Sequence, residues 1–275
     1  MDVPELREKL SRGGRACGTL VVSPSPHGPV HLATAGLDFV FIDTEHIALG
    51  RETASWMCRA YGAAGLAPIL RIPSPDPFAA SEALDGGAAG ILVPYVETVG
   101  QVQALRGAVK LAPLKGERLS RILAGEERPE PAMAAYLAER ARNRLLLVNI
   151  ESLPAIRDLD AILAVPDLDG IVVGPHDLSC SLGAPEDYVS PAFSAALRSI
   201  LGKARERGLI AGIHAMNCGP ASLSLEWMRW GCNLLIQNAD VVYAARGLRE
   251  ELGAIRSALG ESGPGEAPDR RAIVV

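Results

Sequence analysis

Cysteine is scarce in this 275-residue chain, and its few copies stand far apart: Cys17, Cys58, Cys180, Cys218 and Cys232, an odd number with no CxxC pair. That pattern supplies neither a disulfide framework nor a cysteine zinc site. No apolar run approaches the roughly 18 residues that span a bilayer. The opening segment, MDVPELREKLSRGG, is charged and helical in pattern and has no signal-peptide core. A basic excess is also missing: 27 Lys and Arg against 32 Asp and Glu leave a net charge of −5. Partners that are nucleic acids or anionic membranes are therefore not expected. No GxGxxG follows the first β-rich run, which argues against a dinucleotide site. A cytoplasmic, reducing setting is expected.

What the chain does hold is apolar surface, 48% of its residues, with 21% charged, enough to build a sizeable core. Eight short apolar runs read as strands: 17–22, 39–43, 68–72, 90–94, 145–150, 170–174, 209–213 and 233–237. They are continuous rather than alternating, as parallel strands covered on both faces are. Helical patterns fall between them, near 29–36, 51–64, 77–87, 98–109, 152–163, 191–207, 219–230 and 240–257. Eight β-then-α units predict an α/β fold, a (β/α)₈ TIM barrel, as one domain over 1–258 with a flexible tail over 259–275. The connection over 111–144 is unusually long, with one helix expected near 130–141; such insertions are commonly site covers or disordered.

In such a barrel the chemistry sits where strands end. Those ends carry Asp43, Glu45 and His46; Arg71; Asn149 and Glu151; His176 and Asp177; His214 and Asn217; Gln237 and Asn238. Glu151 and Asp177 end adjacent strands, and two such carboxylates repel unless a cation or proton lies between them. They suit Mg²⁺ or Mn²⁺; equally, each suits the cap of a following helix. Asp43 with His46 suits a general base acting through water, or a helix-entry hydrogen bond. Glu45 is either a third member of that group or a solvent-facing residue. Arg71 suits an anchor for a carboxylate or enolate oxygen, or a structural salt bridge. GPHDLS reads as an anion pocket of backbone N–H groups or as an ordinary turn. His214 reads as a packed barrel residue. Cys180 lacks an adjacent base in sequence, and Lys115 sits in a loop ill-suited to a Schiff-base amine.

The ordered segments FVFIDTEH, ILRIP, ILVPYVET, VNIES and DGIVVGPHDLSCSLG resemble the HpcH/HpaI aldolase family, class II metal-dependent pyruvate aldolases related to citrate lyase β subunits. The match runs over roughly 15–250. The resemblance implies Glu151 and Asp177 as ligands of a divalent metal ion (Mg²⁺, Mn²⁺ or Co²⁺). It implies Arg71 on the pyruvate oxygens, His46 with Asp43 as an acid/base dyad, and backbone amides at His176 and Asp177 on the pyruvate carboxylate. Arg118 would keep an arginine role in the loop after the fourth strand. A homo-oligomer is implied, commonly a hexamer with the last helix exchanged between subunits. Asn149 stands where a glutamine is frequent, a shorter amide beside the metal glutamate. His176 stands where a small residue is common, and APLKGERL replaces PPxGxRG.

The resulting expectation is a carbon–carbon lyase that cleaves or forms a 4-hydroxy-2-oxo acid through a pyruvate enolate, with small 2-oxo acids and aldehydes as partners. A 2-oxo acid decarboxylase or a malyl- or citryl-thioester lyase would use the same site. A catalytically silent barrel serving as a binding partner is the reading from another class.

Overall fold

The computed structural model describes residues 1–261. Eight strands close into a barrel in chain order: β1 (Ala16–Val21), β2 (Phe39–Asp43), β3 (Ala67–Arg71), β4 (Gly90–Val93), β5 (Leu145–Asn149), β6 (Gly170–Val173), β7 (Ile210–Ala215) and β8 (Leu234–Ala239). All pairings are parallel, and β8 returns to β1 with Ala16 opposite Leu234. This is the expected (β/α)₈ barrel, with strand bounds shifted by one or two residues.

Helix α1 (Val3–Ser11) precedes the barrel; α2 (Gly28–Ala33), α3 (Arg51–Ala63), α4 (Pro77–Gly86) and α5 (Val99–Lys110) follow the first four strands. Next come α6 (Gly116–Leu123), α7 (Pro131–Arg142), α8 (Leu153–Arg157), α9 (Leu159–Leu163), α10 (Pro175–Ser181), α11 (Pro191–Glu206), α12 (Ala221–Arg229) and α13 (Asp240–Ala258). No helix among the described residues is long and apolar enough to cross a membrane.

The strands read as continuous apolar runs because both of their faces are covered. Phe39, Phe41, Ile69, Leu92, Leu145, Leu147 and Val172 fill the barrel interior, closed at the N-terminal end by Val3, Leu6 and Leu10 of α1. Val40, Ile42, Ile91, Val148, Ile171 and Ile213 face outward onto Met57, Tyr61, Leu105, Phe193 and Trp227 of the helices. Gly18 is required inside: a Cβ there would lie 2.6 Å from the Phe39 ring. Asp2 and Glu5 form a capping box that starts α1, which sequence patterning had marked as helical.

Two local expectations are corrected, and the last helix adds a finding of its own. The helix expected over 152–163 is two short helices, α8 and α9, because Asp158 between them leaves helical geometry (φ −93°, ψ 7°). The 111–144 connection is neither a plain loop nor limited to one helix. Its α6 and α7 bury Ile122 and Leu137 against Leu111 in a separate apolar cluster beside α5. Helix α13 begins on the barrel, where Asp240 accepts from the Val22 and Ser23 N–H groups, but none of its 19 residues is buried. Leu248, Leu252, Ile255 and Leu259 are all exposed. Of the tail expected to be flexible, 262–275 lies outside the described residues.

Candidate active site

Parallel register sets the first half of the site. Asp43 and Arg71 are opposite one another at the ends of β2 and β3. Arg71 Nε donates to Asp43 Oδ1 at 2.8 Å and Nη2 donates to Oδ2 at 2.6 Å, a bidentate fork, with both side chains buried. The guanidinium lies 5.5 Å from the Phe41 ring centroid. Asp43 also accepts from the Glu45 N–H at 3.0 Å and the His46 N–H at 3.4 Å. Burial alone would raise the Asp43 carboxyl, but the hydrogen bonds and charge of Arg71 hold it below the usual carboxylate range.

In this geometry the Asp43 of the expected Asp43–His46 dyad has other partners as well. The Asp43 carboxylate is taken up by Arg71 and by backbone N–H groups, so the carboxylate beside the imidazole is Glu45. His46 Nε2 lies 3.5 Å from Glu45 Oε2, and Arg71 Nε lies 3.0 Å from the same oxygen. The Arg71 Nε–H is directed at Asp43, so Glu45 Oε2 is paired by charge without a hydrogen bond of its own. Burial pushes the Glu45 carboxyl up to about 7, with Arg71 opposing and Asp43 and Asp177 adding to the rise.

The second half is built by β5 and β6. Glu151 is 3% exposed and is held by two donors: Asn149 Nδ2 to Oε2 at 2.8 Å, and the Tyr95 N–H to Oε1 at 2.8 Å. The shorter amide of Asn149 thus does reach the carboxylate. Asp177 enters from the first turn of α10, which starts directly after β6 with Pro175 in a position that needs no N–H. Gly174 sits where the two carboxylates converge: a Cβ there would lie 2.5 Å from Glu151 Oε2 and 3.6 Å from Asp177 Oδ2. Burial pushes the Glu151 carboxyl up to about 7; the Tyr95 N–H opposes this and the charge of Asp177 adds to it.

Four carboxylates therefore share one buried guanidinium at this mouth. Such a donor set fits a divalent cation: two convergent hard-oxygen groups, with a shortage of positive charge around them. Among the described residues no group of three or more His, Cys, Asp or Glu forms a protein-only ligand cluster. Two carboxylates that leave positions for substrate oxygens suit Mg²⁺-type coordination, which keeps few protein ligands.

The model for the HpcH/HpaI aldolase/citrate lyase family matches residues 21–227. The chain belongs to that family. A 2-keto-3-deoxy-L-rhamnonate aldolase of Salmonella gallinarum is 28% identical over 251 residues, covering 91% of this chain and 92% of its own. A hydroxypyruvate/pyruvate aldolase of Roseovarius nubinhibens is 29% identical over 255 residues, covering 91% and 96%. The crystal structure of an HpcH/HpaI aldolase from Desulfitobacterium hafniense DCB-2 superposes with a TM-score of 0.77 at 26% identity, covering 96% of this chain and 99% of that one. A citrate lyase β subunit from M. tuberculosis, solved with oxaloacetate and magnesium, shares the fold at 16% identity, with a TM-score of 0.55 and coverage of 83% and 93%. As a member of the HpcH/HpaI family the chain is a lyase of the aldolase type.

Other residues singled out in this HpcH/HpaI chain fall as follows. His214 is buried inside the barrel, 5.1 Å from Phe41 in an edge-to-face contact, and burial pushes it down to about 3, so its ring is neutral. Arg118 Nε donates to Glu127 at 3.0 Å and its Nη2 to Glu130, both within the insertion. It makes no hydrogen bond or ion pair with the mouth, because α6 turns it toward those two acids. Cys180 does have a base beside it, His176 Nε2 at 3.9 Å, one helical turn back on α10. A groove of about 1260 Å³ between α3 and α4, lined by Trp56, Phe78 and Lys115, lies beside the mouth and holds none of the four carboxylates.

One mouth residue escaped sequence reasoning. Tyr95, just after β4, has a left-handed backbone (φ 50°), is exposed, and gives its N–H to Glu151. Burial, then the charges of Asp177, Glu151 and Glu45, raise its phenol above the ordinary value. The exit of β4 reads Pro-Tyr-Val and offers no charged group, so a search for polar strand ends passes over it.

Proposed function

We propose that this family member catalyses reversible aldol cleavage of a 4-hydroxy-2-oxo acid through a pyruvate enolate, aided by a divalent cation. The observation that carries this reading is the convergence of Glu151 and Asp177 on Gly174, beside a buried arginine already fixed in place. The names of the aldolases from Salmonella and Roseovarius support the reaction class, and the magnesium and oxaloacetate of the citrate lyase β subunit support the cofactor and the 2-oxo acid.

Glu151 and Asp177 would hold the ion (Mg²⁺, Mn²⁺ or Co²⁺), which when bound supplies electrophilic stabilisation of negative charge on the 2-oxo acid. Arg71 cannot swing away, because Asp43 grips it from one side and Phe41 backs it. Its remaining donors stay aimed at the developing enolate oxygen, with no reorganisation needed during the step. The open N–H groups of His176 and Asp177 receive the substrate carboxylate. His46, 37% exposed and adjacent to Glu45, moves the proton. In condensation it takes a proton from pyruvate C3; in cleavage it takes the proton of the C4 hydroxyl. Glu45, rather than Asp43, faces the imidazolium that results.

We also propose a homo-oligomer, with the uncovered apolar residues of α13 seated on another copy. Sedimentation at micromolar concentration tests that: a monomer refutes it. The five free cysteines suit the reducing cytoplasm.

The test of function is deuterium exchange at the pyruvate methyl group, followed by NMR with Mg²⁺, Mn²⁺ or Co²⁺ and with chelator. It needs no knowledge of the aldehyde. Metal-dependent exchange is expected. Absence of exchange with every metal, in protein shown to bind the metal, would refute the enolate reading.

A further inference from the structure

We infer that His176 Nε2 and Cys180 Sγ form a second metal site, a chelate for a thiophilic divalent cation such as Zn²⁺, on the face of α10 that reaches solvent. It is separate from the carboxylates at the mouth and does not depend on the enolate reading.

The helix builds the pair. His176 and Cys180 stand four residues apart on α10, so their side chains lie one above the other. Nε2 lies 3.9 Å from Sγ. Zinc binds an imidazole nitrogen at about 2.1 Å and a thiolate sulfur at about 2.3 Å, and a tetrahedral angle between those bonds sets N and S about 3.6 Å apart. A small rotation of either side chain closes the difference. Asp177 stands about 100° further round the helix than His176 and turns its carboxylate to Gly174 and Glu151, so the two sites share no ligand.

The turn beneath the pair is anchored. Leu178 and Ser179 are fully buried. Ser179 Oγ donates to the His176 carbonyl at 2.7 Å and accepts from the Glu186 N–H at 3.0 Å. Ser181 Oγ accepts from the Leu153 N–H at 3.0 Å, which ties α10 to α8. Two ligands on a fixed turn lose little freedom when a metal joins them.

The chemistry of the pair selects the cation. Imidazole and thiolate favour Zn²⁺, whereas the carboxylates of Glu151 and Asp177 favour Mg²⁺. Of the five thiols only Cys180 is exposed; Cys218 and Cys232 donate instead to the Met216 and Leu234 carbonyls. On binding, the Cys180 thiol gives its proton to solvent as the sulfur–metal bond forms, and His176 adds the lone pair of a neutral Nε2. Among the described residues no third His, Cys, Asp or Glu joins them, so water fills the remaining positions. The chain can then carry a hard and a thiophilic cation together.

The probe is Co²⁺, because a thiolate bound to Co²⁺ gives a charge-transfer band in the near ultraviolet that oxygen ligands do not. Reduced parent protein loaded with Mg²⁺ should develop this band on titration with Co²⁺, and Zn²⁺ should abolish it. Cys180→Ser should lose the band, while its circular dichroism matches the parent and its Mg²⁺-dependent pyruvate exchange stays within about twofold. His176→Ala should weaken Co²⁺ binding at least about tenfold, the loss that even a group supporting a ligand brings. No band in the parent, or a band that survives Cys180→Ser, overturns the inference. So does His176→Ala that binds Co²⁺ as tightly as the parent, since the thiol would then act alone. A parent that shows the band without pyruvate exchange overturns the enolate reading alone, and one that exchanges without the band overturns only this site.

Discussion

At the N-terminal end of the barrel one buried carboxylate faces two cations, whereas at the C-terminal end four carboxylates face one. Below, Asp169 accepts from Lys110 Nζ at 2.6 Å, from the Leu146 N–H at 2.6 Å and from Arg7. Lys110 and Arg7 also donate to the Arg144 carbonyl, so the network closes on itself. Above, Asp43 satisfies Arg71, and Glu45, Glu151 and Asp177 are left with too little positive charge. Both ends bury ionisable groups at loops flanking the same strands. The lower set is complete and locks the plug helix α1 to the strands; the upper set calls for something from outside the chain. Charge that is buried and balanced reads as structure, and charge that is buried and unbalanced reads as a site.

The comparison breaks most sharply under substitution. Glu151→Gln or Asp177→Asn should cut metal-dependent exchange by about a thousandfold or more, since several kcal/mol of charge stabilisation go with the ion. The folded state should survive, as circular dichroism would show. Full exchange in either variant removes the proposed ligand assignment. Next comes His46→Ala, which should slow exchange about a hundredfold or more while metal affinity measured by calorimetry stays near the parent's. An unchanged exchange rate takes His46 out of the mechanism.

The lower cluster should answer in the opposite currency. Asp169→Asn leaves the buried Lys110 without its counter-charge and should lower stability by about 3–5 kcal/mol. Urea unfolding measures this, and the exchange rate per folded molecule should hardly change. A stable but inactive Asp169→Asn would erase the distinction between the two ends.

The upper imbalance also predicts a pH dependence without added metal. Burial raises the folded-state values of Glu151 and Glu45 to about 7, above the ordinary 4.5. The unfolded chain therefore gives up those protons first, and the stability present below about 4.5 is lost as pH rises through about 7. For Glu151 alone this amounts to about 3 kcal/mol. Thermal melting should fall between pH 5 and 8 in chelator, and added Mg²⁺ should recover most of the loss at pH 8. A melting temperature that rises with pH in chelator would contradict the imbalance. Smallest of all is Arg118→Ala: its guanidinium serves Glu127 and Glu130 at the surface, so exchange should stay within about twofold. A large loss would return Arg118 to the site.

Much of this was legible before any coordinates. The rule that barrel chemistry collects at strand ends picked out Asp43, Arg71, Glu151 and Asp177, because a parallel strand leaves the position of its last residue little freedom. What was illegible depended on distances between side chains from different loops. Asp43 and Glu45 are two residues apart, and only packing decides which of them faces Arg71 as a fork and which lies beside His46. Arg118 matched a motif position, yet two acids within its own insertion claimed it. Cys180 and His176 meet because α10 is a helix, which puts residues four apart on one face. Tyr95 carries no charge and no motif; its importance lies in a backbone angle.

The sequence by itself determined the barrel, since eight apolar runs separated by amphipathic segments can bury both faces of each strand in few other ways, and it determined which acids end those strands. Only the tertiary structure decided how those acids are shared. Pairing among buried charges is settled over about 3 Å, where Coulomb energies in a low-dielectric site change steeply with position, and sequence spacing does not resolve that scale.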